Sequence, residues 1–112
     1  MMTDCIFCQI VEGSIPAPRL YEDRDFIVIP DKYPKAPVHL LVIPKIHIAS
    51  LDDLKPDHEP LLGRAMAILP RIAREQGLKN GFRTIINTGP GGGQEVFHLH
   101  IHVLGGGRLP GF

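Results

Sequence analysis

Hydrophobic and polar positions alternate in short runs up to residue 45 and then switch to a helical stripe. Leu20 to Glu22 and Phe26 to Pro30 are β-prone segments on either side of Asp23-Arg24-Asp25, and they predict an antiparallel hairpin. Pro34 and Pro37 break the periodicity after Asp31, and Val38 to Ile43 resume it before Pro44, which predicts a loop followed by a buried strand. From Asp57 onward, Leu61, Leu62, Ala65, Met66, Leu69, Ile72 and Ala73 recur at helical spacing and predict one long amphipathic helix. Asp57 is expected to cap that helix, Pro60 to occupy its first turn, and Gly77 to end it in the left-handed conformation. Pro70 removes the hydrogen bond to the Met66 carbonyl, so a kink is expected there, costing about 3 kcal/mol unless packing offsets it. Phe82 to Asn87 and His98 to Leu104 predict two further strands, joined through Gly89-Pro90-Gly91-Gly92-Gly93. Strands before and after a single helix favour an antiparallel α+β domain over alternating βαβ units.

Composition narrows the partners. A chain of 112 residues and 12.4 kDa is the size of one domain, spanning 1–112, and 44% hydrophobic residues supply its core. Twelve basic residues balance twelve acidic ones, so no basic field exists to attract a nucleic-acid backbone. Apolar runs such as Phe26 to Ile29 and Leu40 to Ile43 fall far short of the ~20 residues that cross a bilayer. The first residues carry neither an early basic cluster nor a signal-like apolar stretch, so a cytoplasmic, reducing setting is expected. In that setting the C-x-x-C of Cys5 and Cys8 points to metal or redox chemistry before a structural disulfide.

The densest chemistry lies in His98-Leu99-His100-Ile101-His102-Val103-Leu104. A strand's period of two puts the three imidazoles on one face and Leu99, Ile101 and Val103 on the other. A merely solvated face is a poor explanation for three of six histidines within five residues. Chelation of one ion by all three meets a geometric obstacle, because His98 and His102 would stand about 13 Å apart on a straight strand. A zinc held by two of the three remains an alternative. Imidazole is substantially neutral near pH 7, so it can attack phosphorus and also carry a proton to a leaving group. His100, the middle ring, is the natural nucleophile; His98 and His102 are candidates to fix its tautomer or contact phosphate oxygens, and a neighbouring carbonyl can hold its other nitrogen. The preceding glycine-rich loop can cradle an anion with backbone N–H groups, or serve only as a flexible turn. Asn87 and Gln94 flank it with amides that can donate to phosphate or satisfy the loop itself, and Glu95 beside a phosphate requires a histidine or a proton as company.

These residues resemble the histidine triad signature, His-x-His-x-His followed by apolar residues. Cys5-Ile6-Phe7-Cys8, Ile15-Pro16-Ala17, Tyr21-Glu22-Asp23, Val42-Ile43-Pro44-Lys45 with His47, and Gly93-Gln94 extend the resemblance to the Hint branch over nearly the whole chain. It implies an α+β fold, an antiparallel sheet with one long and one short N-terminal helix, and a homodimer. The implied activity is hydrolysis of purine nucleoside phosphoramidates through a nucleotidylated His100, with no redox cofactor. Carried over by position, the catalytic residues are His100, His102 and His98, and the substrate-side groups are Asn87, Gly93, Gln94 and Glu95. Asp31 then matches a ribose-binding carboxylate, and Ile6, Phe7, Ile10 and Ile15 match an apolar wall for the purine. Cys5, Cys8, His47 and His98 resemble the ligands of zinc-bearing members; two thiolates and two imidazoles close a tetrahedral site, so such a zinc would be structural. Glu95 stands where many animal members have serine, and the chain stops soon after Gly105-Gly106-Gly107; both departures bear on the leaving group. A dinucleoside polyphosphate hydrolase and a nucleotide- or zinc-binding regulatory module are the rival readings. His39 is expected to pack at a strand start and His58 to lie in an exposed helical turn, neither with a catalytic role.

Overall fold

Five short strands and two helices form the regular structure of the computed structural model, which describes residues 4–111. The elements are α1 (Ile6–Glu12), β1 (Tyr21–Glu22), β2 (Phe26–Pro30), β3 (Val38–Pro44), α2 (Glu59–Glu75), β4 (Arg83–Ile85) and β5 (Ile101–Gly105). The strands make one antiparallel sheet in the order β1-β2-β3-β5-β4. The expected α+β architecture, with one long and one short helix, is therefore present.

The hairpin forms as its sequence predicts. Asp23 Oδ1 accepts from the backbone N–H groups of Asp25 and Phe26 at 2.7 and 2.8 Å, closing the turn and setting Tyr21 opposite Val28. Central strands β2 and β3 are apolar on both sides because each side is covered. On one side α2 lays Leu61, Ala65, Leu69, Ile72 and Ala73 against Phe26, Val28, Leu40, Val42 and Val103. On the other, Phe7 and Ile10 of α1 pack on Ile27, Ile29, Leu41 and Ile43. Burying each of these larger side chains contributes about 1.5–3 kcal/mol.

Several boundaries differ from expectation. Helix α2 starts at Glu59 rather than Asp57, which lies in a 3-10 turn, Pro56–His58, held by the Lys55 N–H donating to His58 Nδ1 at 3.0 Å. That bond makes His58 a half-buried turn partner rather than an exposed helical residue. Met66 belongs to the predicted stripe but is 46% exposed, because the stripe that meets the sheet is narrower than the apolar one in the sequence. The helix runs on through Pro70, which faces solvent, so water can take the Met66 carbonyl that loses its donor. Gly77 adopts the left-handed φ of 86° predicted for the stop. Only Arg83–Ile85 of the Phe82 to Asn87 segment pairs with the sheet, and the strand expected over His98 to Leu104 starts at Ile101 and runs one residue further, to Gly105.

Candidate active site and metal centre

His98 and His100 precede β5 rather than belonging to it, yet the alternation survives. Leu99, Ile101 and Val103 sink into the α2 side of the core, while the three imidazoles turn to the α1 side. Phe7 meets the edges of the His98 and His100 rings at 6.0 and 5.1 Å, and His100 meets His102 at 5.0 Å. A main-chain bond from the Leu99 N–H to the Ile48 carbonyl, 2.7 Å, keeps this segment extended without a ladder.

Hydrogen bonds then fix the tautomers. His100 Nδ1 lies 2.7 Å from the His98 carbonyl, which only accepts, so Nδ1 carries the proton and Nε2 presents its lone pair. No partner holds that Nε2 among the described residues. The second chain of bonds starts at the Lys35 backbone N–H, which donates to His39 Nδ1 at 3.0 Å. The neutral His39 ring must then carry its proton on Nε2, 2.9 Å from His102 Nδ1 and 3.3 Å from Asp31 Oδ2. His102 accepts at Nδ1, so its remaining Nε2 bears the proton and is a donor. Burial, reinforced by His100 and His39, pushes the His102 ring down to about 4, and burial likewise lowers His39 despite the nearby Asp31. Both are neutral at pH 7, which the relay requires.

His39 packs at the start of β3 as expected, but it also lines the cavity and holds His102, so it is a positioning partner in the candidate site that its sequence reading left out. Its position follows from register: His39 lies opposite Leu104 and Leu41 opposite His102, so His39 and His102 are diagonal neighbours on one face.

A cavity of about 780 Å³ opens over this face. His39, His100, His102, Asp31, Asn87, Gly93 and Glu95 line it, as do Ile6, Phe7, Ile10 and Ile15. Asp31 is anchored through Oδ1 by the Tyr33 N–H, leaving Oδ2 beside His39. Asn87 Nδ2 donates to the Gly92 carbonyl at 2.8 Å, which ties its amide to the glycine loop at the cavity edge. Gly93 takes a left-handed φ of 79° that a side chain would strain. Gln94 is different. It is buried, accepts from the Gly89 N–H at 2.9 Å and donates to the carbonyls of Ala49 and Val96 at 2.8 and 3.0 Å, so its amide is spent on locking the loop.

Beyond His100 the rings serve a different cluster. Cys5, Cys8, His47 and His98 hold their ligand atoms within 4.8 Å of one another. The Cys5 Sγ to His98 Nδ1 and Cys8 Sγ to His47 Nδ1 distances are both 3.3 Å, and the two Nδ1 atoms lie 3.2 Å apart. The edges of a zinc tetrahedron with two sulfurs and two nitrogens are about 3.4–3.8 Å, so the donors are already close to tetrahedral placement. His98 Nε2 donates to the Pro44 carbonyl at 2.8 Å, which leaves Nδ1 as a lone pair facing the thiols. Burial keeps that ring below the ordinary imidazole range. Burial and Cys5 hold the Cys8 thiol up at about 11, a preference that a divalent cation reverses by binding the thiolate.

The chain is similar to known proteins along nearly its whole length. Residues 4–108 match the family described as scavenger mRNA decapping enzyme C-term binding. Protein HitA of Neisseria gonorrhoeae is 55% identical over 104 residues, covering 93% of this chain and 97% of that protein. The chain belongs to the histidine triad family. Among solved structures, a histidine triad protein from Clostridium difficile superposes with a TM-score of 0.95 at 42% identity, over 100% of this chain and 98% of that one. A structure described as a HIT family hydrolase from Legionella pneumophila gives 0.92 at 42% identity, over 96% of each chain. A zinc-bound histidine triad family protein from Mycobacterium smegmatis gives 0.77 at 42% identity, over 90% of this chain and 73% of that one.

Proposed function

We propose that this histidine triad protein is a nucleotide hydrolase that cleaves purine nucleoside phosphoramidates to the nucleoside monophosphate through a covalent nucleotidyl-His100. The observation that carries this reading is the His100 ring. Its Nδ1–H is committed to the His98 carbonyl, and its Nε2 has no partner among the described residues in a cavity large enough for a nucleotide. Family membership, and the neighbour described as a hydrolase, agree with it.

In the proposed reaction His100 Nε2 forms a bond to the α-phosphorus as the bond from phosphorus to the amine breaks, the electron pair leaving with the nitrogen, which takes up a proton from solvent. The positive charge that develops on His100 is met at Nδ1 by the His98 carbonyl. His102 Nε2–H donates to a nonbridging oxygen, held in that tautomer by His39. Water then attacks phosphorus and gives up a proton to solvent, the bond to His100 breaks with its electron pair returning to Nε2, and the ring is again neutral. Asp31 offers Oδ2 to the ribose hydroxyls, and Ile6, Phe7, Ile10 and Ile15 form the purine side of the cavity.

Cys5, Cys8, His47 and His98 are the residues that would hold zinc. With all four positions filled, the ion supplies structural closure and orientation rather than activated water. The chain is further proposed to work as a homodimer, as the resemblance implies, and light scattering should return twice the chain mass. The main test is direct. After incubation with adenosine 5'-phosphoramidate and a quench in base, where a phosphorus–nitrogen adduct survives, intact-mass measurement should show added AMP on the protein. His100→Gly should lose the adduct and reduce turnover by about 10⁴-fold or more. An adduct that persists in that variant would assign the nucleophile elsewhere.

A further inference from the structure

The cavity is electrically polarised along β5. Antiparallel register puts the β2–β3 connection, with Asp31, Lys32 and Lys35, beside the Gly105 end of β5, since Val38 pairs with Gly105 and Asp31 donates to the His39 carbonyl. It puts the connection after β4, with Asn87, Gly93 and Glu95, at the opposite end, since Ile85 pairs with His102 and the chain continues toward His100. Lys32, Lys35, Glu95, His100 and His102 all line the one cavity. The histidines that would hold phosphorus lie between an end where two exposed lysines outnumber the Asp31 carboxylate and an end whose charge is Glu95.

Glu95 is the charge at the acidic end. Its backbone is fixed, because the neighbouring Gln94 side chain is buried and bonded to Gly89, Ala49 and Val96. Its own carboxylate has no hydrogen-bond or ion-pair partner among the described residues and is exposed. Among the described residues lining that end of the cavity, its neighbours Asn87 and Gly93 carry no charge. With the ribose at Asp31 and the phosphorus at His100, the part of the cavity left for the leaving group is the end lined by Asn87 and Glu95.

We propose that Glu95 selects the leaving group, favouring substrates whose departing amine carries a positive charge and disfavouring those whose departing group is anionic. This rests on the phosphoramidate reading and deepens it to a substrate class: nucleoside phosphoramidates of cationic amines. The carboxylate attracts a cationic substituent through partly screened solvent and repels a phosphate or carboxylate by the same amount. At an exposed position such an interaction changes kcat/KM by about 1.5-fold to fivefold for each charge added or removed.

The test uses three adenosine phosphoramidates of matched length, with propylamine, 2-aminoethylamine and glycine as leaving groups, at low and high salt. The wild-type protein should prefer the cationic over the neutral substrate by about 1.5-fold to fivefold, and the neutral over the anionic by a similar factor, with both ratios shrinking as salt is added. Glu95→Gln should bring the ratios close to one, and Glu95→Lys should invert them. Equal kcat/KM across the three substrates in the wild type, or ratios that survive Glu95→Gln, would overturn the role of Glu95. Failure to turn over any of the three, or to form the His100 adduct, would instead remove the phosphoramidate reading on which it rests.

Discussion

Asp31, His39 and His102 hold their ligand atoms within 4.8 Å of one another, as do Cys5, Cys8, His47 and His98. By spacing alone both clusters suit a metal. Their hydrogen bonds separate them. His98 donates Nε2–H to the Pro44 carbonyl and so turns an open lone pair into its cluster. His39 accepts a Lys35 N–H at Nδ1 and so turns a proton into its own. A lone pair aimed inward invites a cation; a proton aimed inward makes a relay. Neighbouring main-chain groups set which ring atom faces inward, and the two thiols of the His98 cluster, against the single carboxylate of the His39 cluster, reinforce the division.

The most disruptive test of this division is Cys8→Ser. If the thiol cluster is a closed zinc site, the variant should lose its metal and roughly 3–5 kcal/mol of stability, read by elemental analysis and thermal unfolding. Full metal content with an unchanged midpoint would erase the distinction. In the relay, His39→Gln should lower turnover by about 10–100-fold while leaving metal content and the unfolding midpoint near those of the wild type. Loss of metal in that variant would mean the two clusters act as one.

Acid should stress the relay first. His102 titrates at about 4 in the folded protein against an ordinary value of 6.5, so the unfolded chain binds this proton earlier as pH falls. The contribution is fully present above 6.5 and is lost as pH falls from there toward 4, amounting to about 1–3 kcal/mol after allowance for partial solvent contact. Denaturant titrations across that range should show the decline, and His102→Gln should reduce it, the remainder coming from His39 and His98, which burial also lowers. The smallest effect is expected at Gln94→Ala, about 1–2 kcal/mol from three lost hydrogen bonds around the glycine loop. Hydrogen exchange at Gly89 should rise in step, and an unchanged rate would argue that the loop is held some other way.

Much of this site can be read from residue order, because the period of two in His98 to Val103 assigns faces before any partner strand is known. The helix stripe from Leu61 to Ala73 is legible for the same reason. His39 is not. It sits in Val38-His39-Leu40-Leu41-Val42-Ile43, a strand covered on both sides, where apolar residues follow one another and no alternation marks a face. Only its register against β5 places it beside His102. Gln94 is obscured differently: an amide next to a glycine loop suits phosphate and loop closure equally well, and its distance to Ala49, far away in sequence, settles where it is spent. Asp57 as a helix cap fails because the preceding Pro56 favours a tighter turn, which His58 closes.

His98, His39 and His100 are each oriented by an atom of the backbone: the Pro44 carbonyl, the Lys35 amide and the His98 carbonyl. Replacing the side chain at 35 with almost any other leaves that amide in place, so sequence drift there does not reach the proton. Proline is the exception, since it alone removes the N–H. The chemistry of the cavity is in this sense inherited from the path of the chain, and an engineer wishing to change a ring's protonation would have to move the loop rather than edit its residues.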